Sequence, residues 1–340
     1  MLKYWQEGDL MKKEVTIEDE QLDFKELKEL SKKMYFNLFK KKTFDLDEYM
    51  DIELIIPDNI KKLNCNNPLD KFLITDVRYI KKITAEGITE VNNDFFKCFK
   101  NLQTVNLPSV TKIKREAFEN CINLKVVNLN KVKSIGYAAF FNCINLEQIN
   151  GLDNLEKLEP LCFCNTSLKE ISLSIKELPD YCFDCSRIEK IHGEFEKVGT
   201  RCFYGCYNLK EFPNMKNLNE IKIEAFRGSN LNQIELSDDV VLFNGVFLDC
   251  NNISHLNVSE KLEYELMKGG LKMNENLISP KVRLKLIKEE IMNDKEISEN
   301  NKERIIELEE IKFQCLENML QIKNEVNQKV KKLGGMNEKR

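Results

Sequence analysis

Twelve cysteines and two histidines are the side chains of this 340-residue chain most easily recruited as nucleophiles, redox pairs or metal ligands. Cys182-Phe-Asp-Cys185 has the CxxC spacing that redox centres and zinc sites use. A cysteine nucleophile also needs an imidazole within hydrogen-bond reach, and only His192 and His255 are available. Ten of the cysteines recur at fixed places around a phenylalanine, which is the habit of a scaffold. Cys162, Cys182 and Cys202 directly precede a phenylalanine, where Ala117, Ala139 and Ala225 stand elsewhere. A position that accepts cysteine or alanine wants a small buried side chain, and free cysteine behaves as a small hydrophobe. Cys121, Cys143, Cys206 and Cys250 share a second place, three residues after the phenylalanine.

The elements that must position these residues repeat with them. Phe96, Phe118, Phe140, Phe163, Phe183, Phe203, Phe226 and Phe247 are separated by 22, 22, 23, 20, 20, 23 and 21 residues. Such a period predicts a solenoid, in which each unit buries its apolar face only against its neighbours. Stacked strands lie about 4.8 Å apart. His192 and His255, three rungs apart, are then about 15 Å from one another, too far to share a metal or a cysteine. The same spacing leaves Cys182 and Cys202 within disulfide reach. Free structural thiols are nevertheless the favoured reading, because cysteine trades places with alanine inside the repeat. The chain opens on Met1-Leu-Lys-Tyr-Trp-Gln-Glu-Gly-Asp9 without an apolar leader, so an intracellular setting is expected. The phenylalanine inside the CxxC string is itself a repeat anchor, so the motif is read as part of the rung. No Walker loop and no glycine-rich dinucleotide motif is present, and neither catalysis nor a cofactor is expected.

Within a rung, Leu124-Lys-Val-Val127-Asn-Leu129 alternates as a short strand, with Val127 and Leu129 facing the core and Val126 and Asn128 facing out. The pattern Leu102-Gln-Thr-Val105-Asn-Leu107-Pro108, then Ile113, Ala117, Phe118, Cys121 and Leu124, resembles the BspA-like leucine-rich repeat family from about Ile80 to Val258. The resemblance implies an α/β repeat fold, a leucine-rich repeat solenoid with short parallel strands, and a protein-binding role without a shared active site. Phe163, Phe183 and Phe226 depart from the pattern, reaching the next leucine or isoleucine after five residues instead of six. Asn101, Asn123, Asn145, Asn208, Asn230 and Asn252 precede that apolar residue and are expected to serve the backbone of the turns.

Two outward columns define the strand face. One runs Thr84, Asn106, Asn128, Asn150, Ser172, His192, Pro213, Glu235, Asn257, and the other Lys82, Thr104, Val126, Gln148, Glu170, Lys190, Glu211, Gln233, His255. From these, Asn106, Asn128, Asn150, Gln148, Glu170, Lys190, His192, Glu211, Gln233 and Glu235 are the candidate contacts for a protein partner. The amides from Asn106 to Asn150 have an alternative use, stacking on one another as a ladder. Neither column is basic and the net charge is -4, which argues against nucleic acid.

Flanking regions read as helical: an N-terminal cap over 1–49, the solenoid over 50–258, and a helical C-terminal region over 259–340. Leu27, Leu30, Met34 and Leu38 place an amphipathic helix between Asp19 and Lys42, and Lys40-Lys41-Lys42 is read as its solvated end. Leu308, Ile311, Cys315, Met319, Ile322, Val326, Val330 and Leu333 follow an eleven-residue repeat, at 3.67 residues per turn. That stripe either covers the solenoid, the favoured expectation, or pairs with a second copy as a coiled coil. No stretch approaches the roughly 20 apolar residues that span a bilayer. A cytoplasmic protein-binding module is therefore expected. The alternative is an exported surface adhesin, suggested by the sequons Asn165-Thr-Ser, Asn252-Ile-Ser and Asn257-Val-Ser.

Overall fold

The protein is described by a computed structural model over residues 21–23, 52–56, 62–64, 80–272, 278–295 and 297–337. Strands from successive rungs stack in parallel, as the repeat demands. Ile52–Ile56, Ile80–Ala85, Thr104–Leu107, Val126–Leu129 and Gln148–Asn150 form one five-stranded sheet. Farther along, Glu170–Ser172 pairs with Lys190–His192, and Gln233–Glu235 with His255–Asn257. The period-two alternation holds: Val127 and Leu129 are buried while Val126 and Asn128 face outward, half-buried.

A second column of two-residue strands runs along another side, and the repeat pattern had not suggested it. Glu90–Val91, Lys112–Ile113, Ser134–Ile135 and Lys157–Leu158 pair in parallel, as do Glu177–Leu178, Lys197–Val198, Glu220–Ile221 and Val241–Leu242. In all but the last of these strands the second residue is buried.

The third side is the phenylalanine turn. Consecutive rings from Phe96 to Phe247 are stacked, with centroids 4.9 to 5.7 Å apart and interplanar angles of 5 to 20°. All eight are buried. Two left-handed residues bracket each ring, two positions before and two after, as Glu116 and Asn120 do around Phe118. This conformation aims three N–H groups per turn at the next rung: Glu116 donates to Tyr137, Phe118 to Ala139 and Asn120 to Phe141, at 2.8 to 2.9 Å. Glycine holds only three of these bracketing places, at Gly205, Gly228 and Gly245. A left-handed conformation costs an ordinary residue about 1–2 kcal/mol. The inter-rung hydrogen bonds and ring burial outweigh that cost, and asparagine and aspartate, which tolerate it best, fill Asp94, Asn120, Asn142, Asn165 and Asp249.

Beyond the last rung, three helices follow: α1 (Glu260–Lys268), α2 (Pro280–Asn293) and α3 (Glu299–Asn337). Ser259 caps α1 by accepting from the Leu262 N–H, and Ser279 caps α2 by accepting from Val282, with Pro280 at the first helical turn. Leu262 and Leu266 of α1 join the solenoid core, so α1 is what closes that end. The described part of the eleven-residue stripe of α3 does not lie against the solenoid as the expected cover would. Leu308, Ile311, Met319 and Ile322 are 59 to 65% exposed. At the N-terminal side, Gln21–Asp23 is a strand paired with Lys62–Asn64, where helix was expected to begin. The rest of the expected cap, including Leu27 to Leu38 and Lys40 to Lys42, lies outside the described residues.

Phe140 sits between Phe118 and Phe163 in the stack. Phe140→Ala is expected to lower stability by about 3–5 kcal/mol in urea unfolding. An unchanged midpoint and slope would mean that the rings do not carry the array.

Candidate functional site

The strand face is built by register. Thr84, Asn106, Asn128 and Asn150 are Cα partners in successive strands, as are Lys82, Thr104, Val126 and Gln148. The asparagines use that alignment on one another. Asn106 Nδ2 donates to Thr84 Oγ1 at 3.2 Å, Asn128 Nδ2 to Asn106 Oδ1 at 2.6 Å, and Asn150 Nδ2 to Asn128 Oδ1 at 2.6 Å. Gln148 Nε2 adds a bond to Asn150 Oδ1 at 2.9 Å. A continuous amide ladder thus occupies the part of the face that looked most suited to a peptide or glycan.

The column does not continue as one sheet. Its first break follows Asn150, where Gly151 turns at φ 78° and a Cβ would lie 1.6 Å from the Leu129 carbonyl oxygen. Only glycine can pass that carbonyl. The second break falls at Glu211 to Pro213, outside any strand, and proline has no N–H to donate to a ladder. The ten candidates are therefore divided. Asn106, Asn128, Asn150 and Gln148 lie in the five-stranded sheet, Glu170, Lys190 and His192 in one strand pair, and Gln233 and Glu235 in another. Glu211 stands alone at the proline break.

At the C-terminal ends of the strand pair that carries the second group lies a groove of about 300 Å³, lined by Leu152, Asp153, Ser172, Leu173, Ser174, His192 and Gly193. On the same strand pair, His192 Nε2 is 2.6 Å from Glu170 Oε1, with both side chains more than half exposed. Glu235 meets Lys216 at 2.6 Å and also accepts from Asn257, and these two contacts hold its carboxyl below the usual range. Gln148, Glu170, Lys190, His192, Glu211 and Gln233 are exposed, whereas the three ladder asparagines are half-buried.

The thiols are placed for structure. Cys121 Sγ donates to the Phe96 carbonyl, Cys143 to Phe118, Cys206 to Phe183 and Cys250 to Phe226, at 3.0 to 3.1 Å. Thr166, Ser186 and Ser229 occupy the same column, so it is a column of small hydrogen-bond donors. In the CxxC string, burial pushes the Cys182 thiol well up, and burial together with Asp184 pushes Cys185 to about 11. A reactive cysteine needs the opposite shift. Among the described residues no group of three or more histidine, cysteine, aspartate or glutamate side chains is placed to hold a metal ion, and no helix is long and apolar enough to cross a membrane.

The sequence pattern described as "BspA type Leucine rich repeat region" matches in 6 copies, over residues 53–125, 111–195 and 176–268. The chain belongs to this family. No match was found among curated proteins. Several solved structures are similar to part of the chain. A leucine rich cell surface protein from Faecalibacterium prausnitzii is 20% identical with a TM-score of 0.37, the match covering 63% of this chain and 51% of that one. A leucine-rich repeat protein from Bacteroides ovatus is 20% identical with a TM-score of 0.42, covering 65% and 73%. The pneumococcal vaccine antigen PcpA is 17% identical with a TM-score of 0.48, covering 64% and 62%. This chain thus spans about half of the first of these relatives.

In this BspA-type repeat the asparagines form more ladders than the strand face holds. Asn142 Nδ2 donates to Asn120 Oδ1 and Asn165 Nδ2 to Asn142 Oδ1, both at 2.6 Å, on the left-handed corners. Their recurrence two residues after Phe118, Phe140 and Phe163 is the sequence signal of this second ladder. Asn123, Asn145 and Asn208 do serve the backbone of the turns, from partly or fully exposed positions: Asn123 donates to the Lys100 carbonyl and Asn145 to Ile122, both at 2.8 Å, whereas Asn252 donates to the Asn230 side chain. The turn edge is also heavily ion-paired. Burial works against ionising Glu116, yet hydrogen bonds from Lys97 and Arg115 hold its carboxyl down at about 2. Arg201 and Arg227 both grip Glu224.

Asn128→Ala removes both bonds of the central ladder amide, and is expected to cost about 1–2 kcal/mol in urea unfolding. Lys190→Ala, on the exposed surface, should stay within about 0.5 kcal/mol of the parent. Equal effects would show that the ladder contributes nothing.

Proposed function

We propose that the protein is a non-enzymatic interaction module that holds a protein partner on the strand face of its solenoid, around the groove lined by Leu152, Ser172 and His192. The observation that carries this reading is a division of labour among the repeat's residues. Phenylalanines, cysteines and most asparagines are spent on neighbouring rungs. Gln148, Glu170, Lys190, His192 and Gln233 stand exposed on register-locked strands, and Glu211 stands exposed at the proline break. A scaffold that fixes side chains before contact lowers the ordering cost of binding. Their mixed charge suits a polar protein surface, and the groove beside them offers a shallow concavity for an anchoring side chain.

Immobilised full-length protein should retain a specific partner from its native cell extract, identified by mass spectrometry. The triple variant Glu170→Lys, Lys190→Glu, Glu211→Lys should fold normally by circular dichroism and lose that partner. Retention by the folded variant would assign binding to another face.

A reducing, cytoplasmic setting belongs to the same reading. The thiols of Cys121, Cys143, Cys206 and Cys250 act as hydrogen-bond donors, a role that oxidation would end. The sequons lend the exported reading little support, because Asn165, Asn252 and Asn257 each already donate their amide to a neighbouring rung. Unfolding in denaturant with a thiol reagent should titrate all twelve cysteines. Fewer than about eleven would place the protein in an oxidising compartment.

A further inference from the structure

We propose that α3 pairs with α3 of a second copy of this chain, antiparallel, along the stripe that begins at Leu308. This goes beyond the partner-binding reading and does not rest on it. The helix runs 39 residues, which at about 1.5 Å per residue is about 58 Å. Two of its faces differ in what they meet. One packs against α2: Lys302 is buried, with its Nζ 3.1 Å from the Met292 carbonyl, and Ile306, Glu309 and Phe313 below it are half-buried. The opposite face carries Leu308, Ile311, Met319 and Ile322 at 59 to 65% exposure, with Cys315 also exposed between them. A solvated helix face is ordinarily polar, and four large apolar side chains in register are the seam of a helix pair.

Two features of the sequence select a second copy, and in the antiparallel sense. The stripe Leu308, Ile311, Cys315, Met319, Ile322, Val326, Val330, Leu333 has spacings of 3, 4, 4, 3, 4, 4 and 3, which read the same in both directions. A two-fold axis through its centre therefore sets Leu308 opposite Leu333, Ile311 opposite Val330, Cys315 opposite Val326 and Met319 opposite Ile322. Every apolar residue meets another member of the stripe. The charges agree with this arrangement. Glu303, Glu307, Glu309, Glu310 and Glu317 outweigh the bases of the first half, whereas Lys323, Lys329, Lys331 and Lys332 outweigh Glu325 in the second. Antiparallel pairing lays each acidic half along a basic half and opposes the two helix dipoles favourably, while parallel pairing would align like with like. The eleven-residue period keeps the seam nearly straight over this length. The two solenoids then project from opposite ends of the pair, which would make the assembly bivalent.

Sedimentation equilibrium of the full chain should give twice 39.9 kDa. The Ile311→Glu, Ile322→Glu variant alters side chains that are exposed in the protomer, so it should keep its circular dichroism and sediment at 39.9 kDa. Orientation is read with Val326→Cys under mild oxidation, followed by peptide mapping. Links between Cys315 and the introduced cysteine at 326 are expected. Links of Cys315 to Cys315 would overturn the antiparallel arrangement. A monomeric parent chain, including one whose stripe is covered by its own segment 24–42, or a double variant that stays dimeric, would overturn the pairing itself.

Discussion

Stacking between successive rungs at the phenylalanine turn is the interaction on which the rest of this molecule depends. No rung has a core of its own, so each ring is buried by neighbouring rings together with the apolar side chains of the strands. The turn that delivers those rings holds two residues in a left-handed conformation and sends three backbone N–H groups to the next rung. That geometry is unfavourable locally and favourable only in the array, because the strained residues are repaid in hydrogen bonds by a neighbour. Cooperativity follows from the same fact, since loss of one rung exposes the faces of two others.

This dependence explains why so little of the conspicuous chemistry is available for function. The thiols of Cys121, Cys143, Cys206 and Cys250 each satisfy the carbonyl of the anchoring phenylalanine one rung earlier. Asparagines at three different places in the repeat bind the equivalent residue or the backbone one rung away. Repetition makes these positions look like a row of sites, but a row is also what a ladder requires. The side chains left for a partner are the irregular ones, where neighbouring rungs differ: Gln148, Glu170, Lys190 and His192 on the strand face. There the sheet itself is interrupted, and a groove opens where Gly151 takes the chain out of register.

The helices at the C-terminal end of the array have different tasks. An open rung would leave apolar surface and unpaired strand groups in water, and α1 closes the C-terminal one with Leu262 and Leu266. Helix α3 is held through α2, and its outward stripe is not needed to close anything. A helix that packs on one side and is apolar on the other has the form of a connector.

Periodicity alone determined that this chain is a solenoid, which residues of each strand face in, and that the phenylalanines form its spine, because burial at a fixed interval leaves a trace in residue type. The small residue before each phenylalanine and the recurring asparagines were equally legible. The second column of strands was not, because pairs such as Lys112–Ile113 are too short for alternation to show. Backbone handedness at Glu116, Leu161 or Arg201 leaves no compositional trace either, since these are not the residues that prefer it. Only the tertiary structure decided that the amides of Asn106, Asn128 and Asn150 bond to one another, that the strand face breaks at Gly151 and Pro213, and that Leu308, Ile311, Met319 and Ile322 of α3 face outward. Each of these depends on which groups another rung or helix brings within reach, and residue order along one rung does not contain that distance.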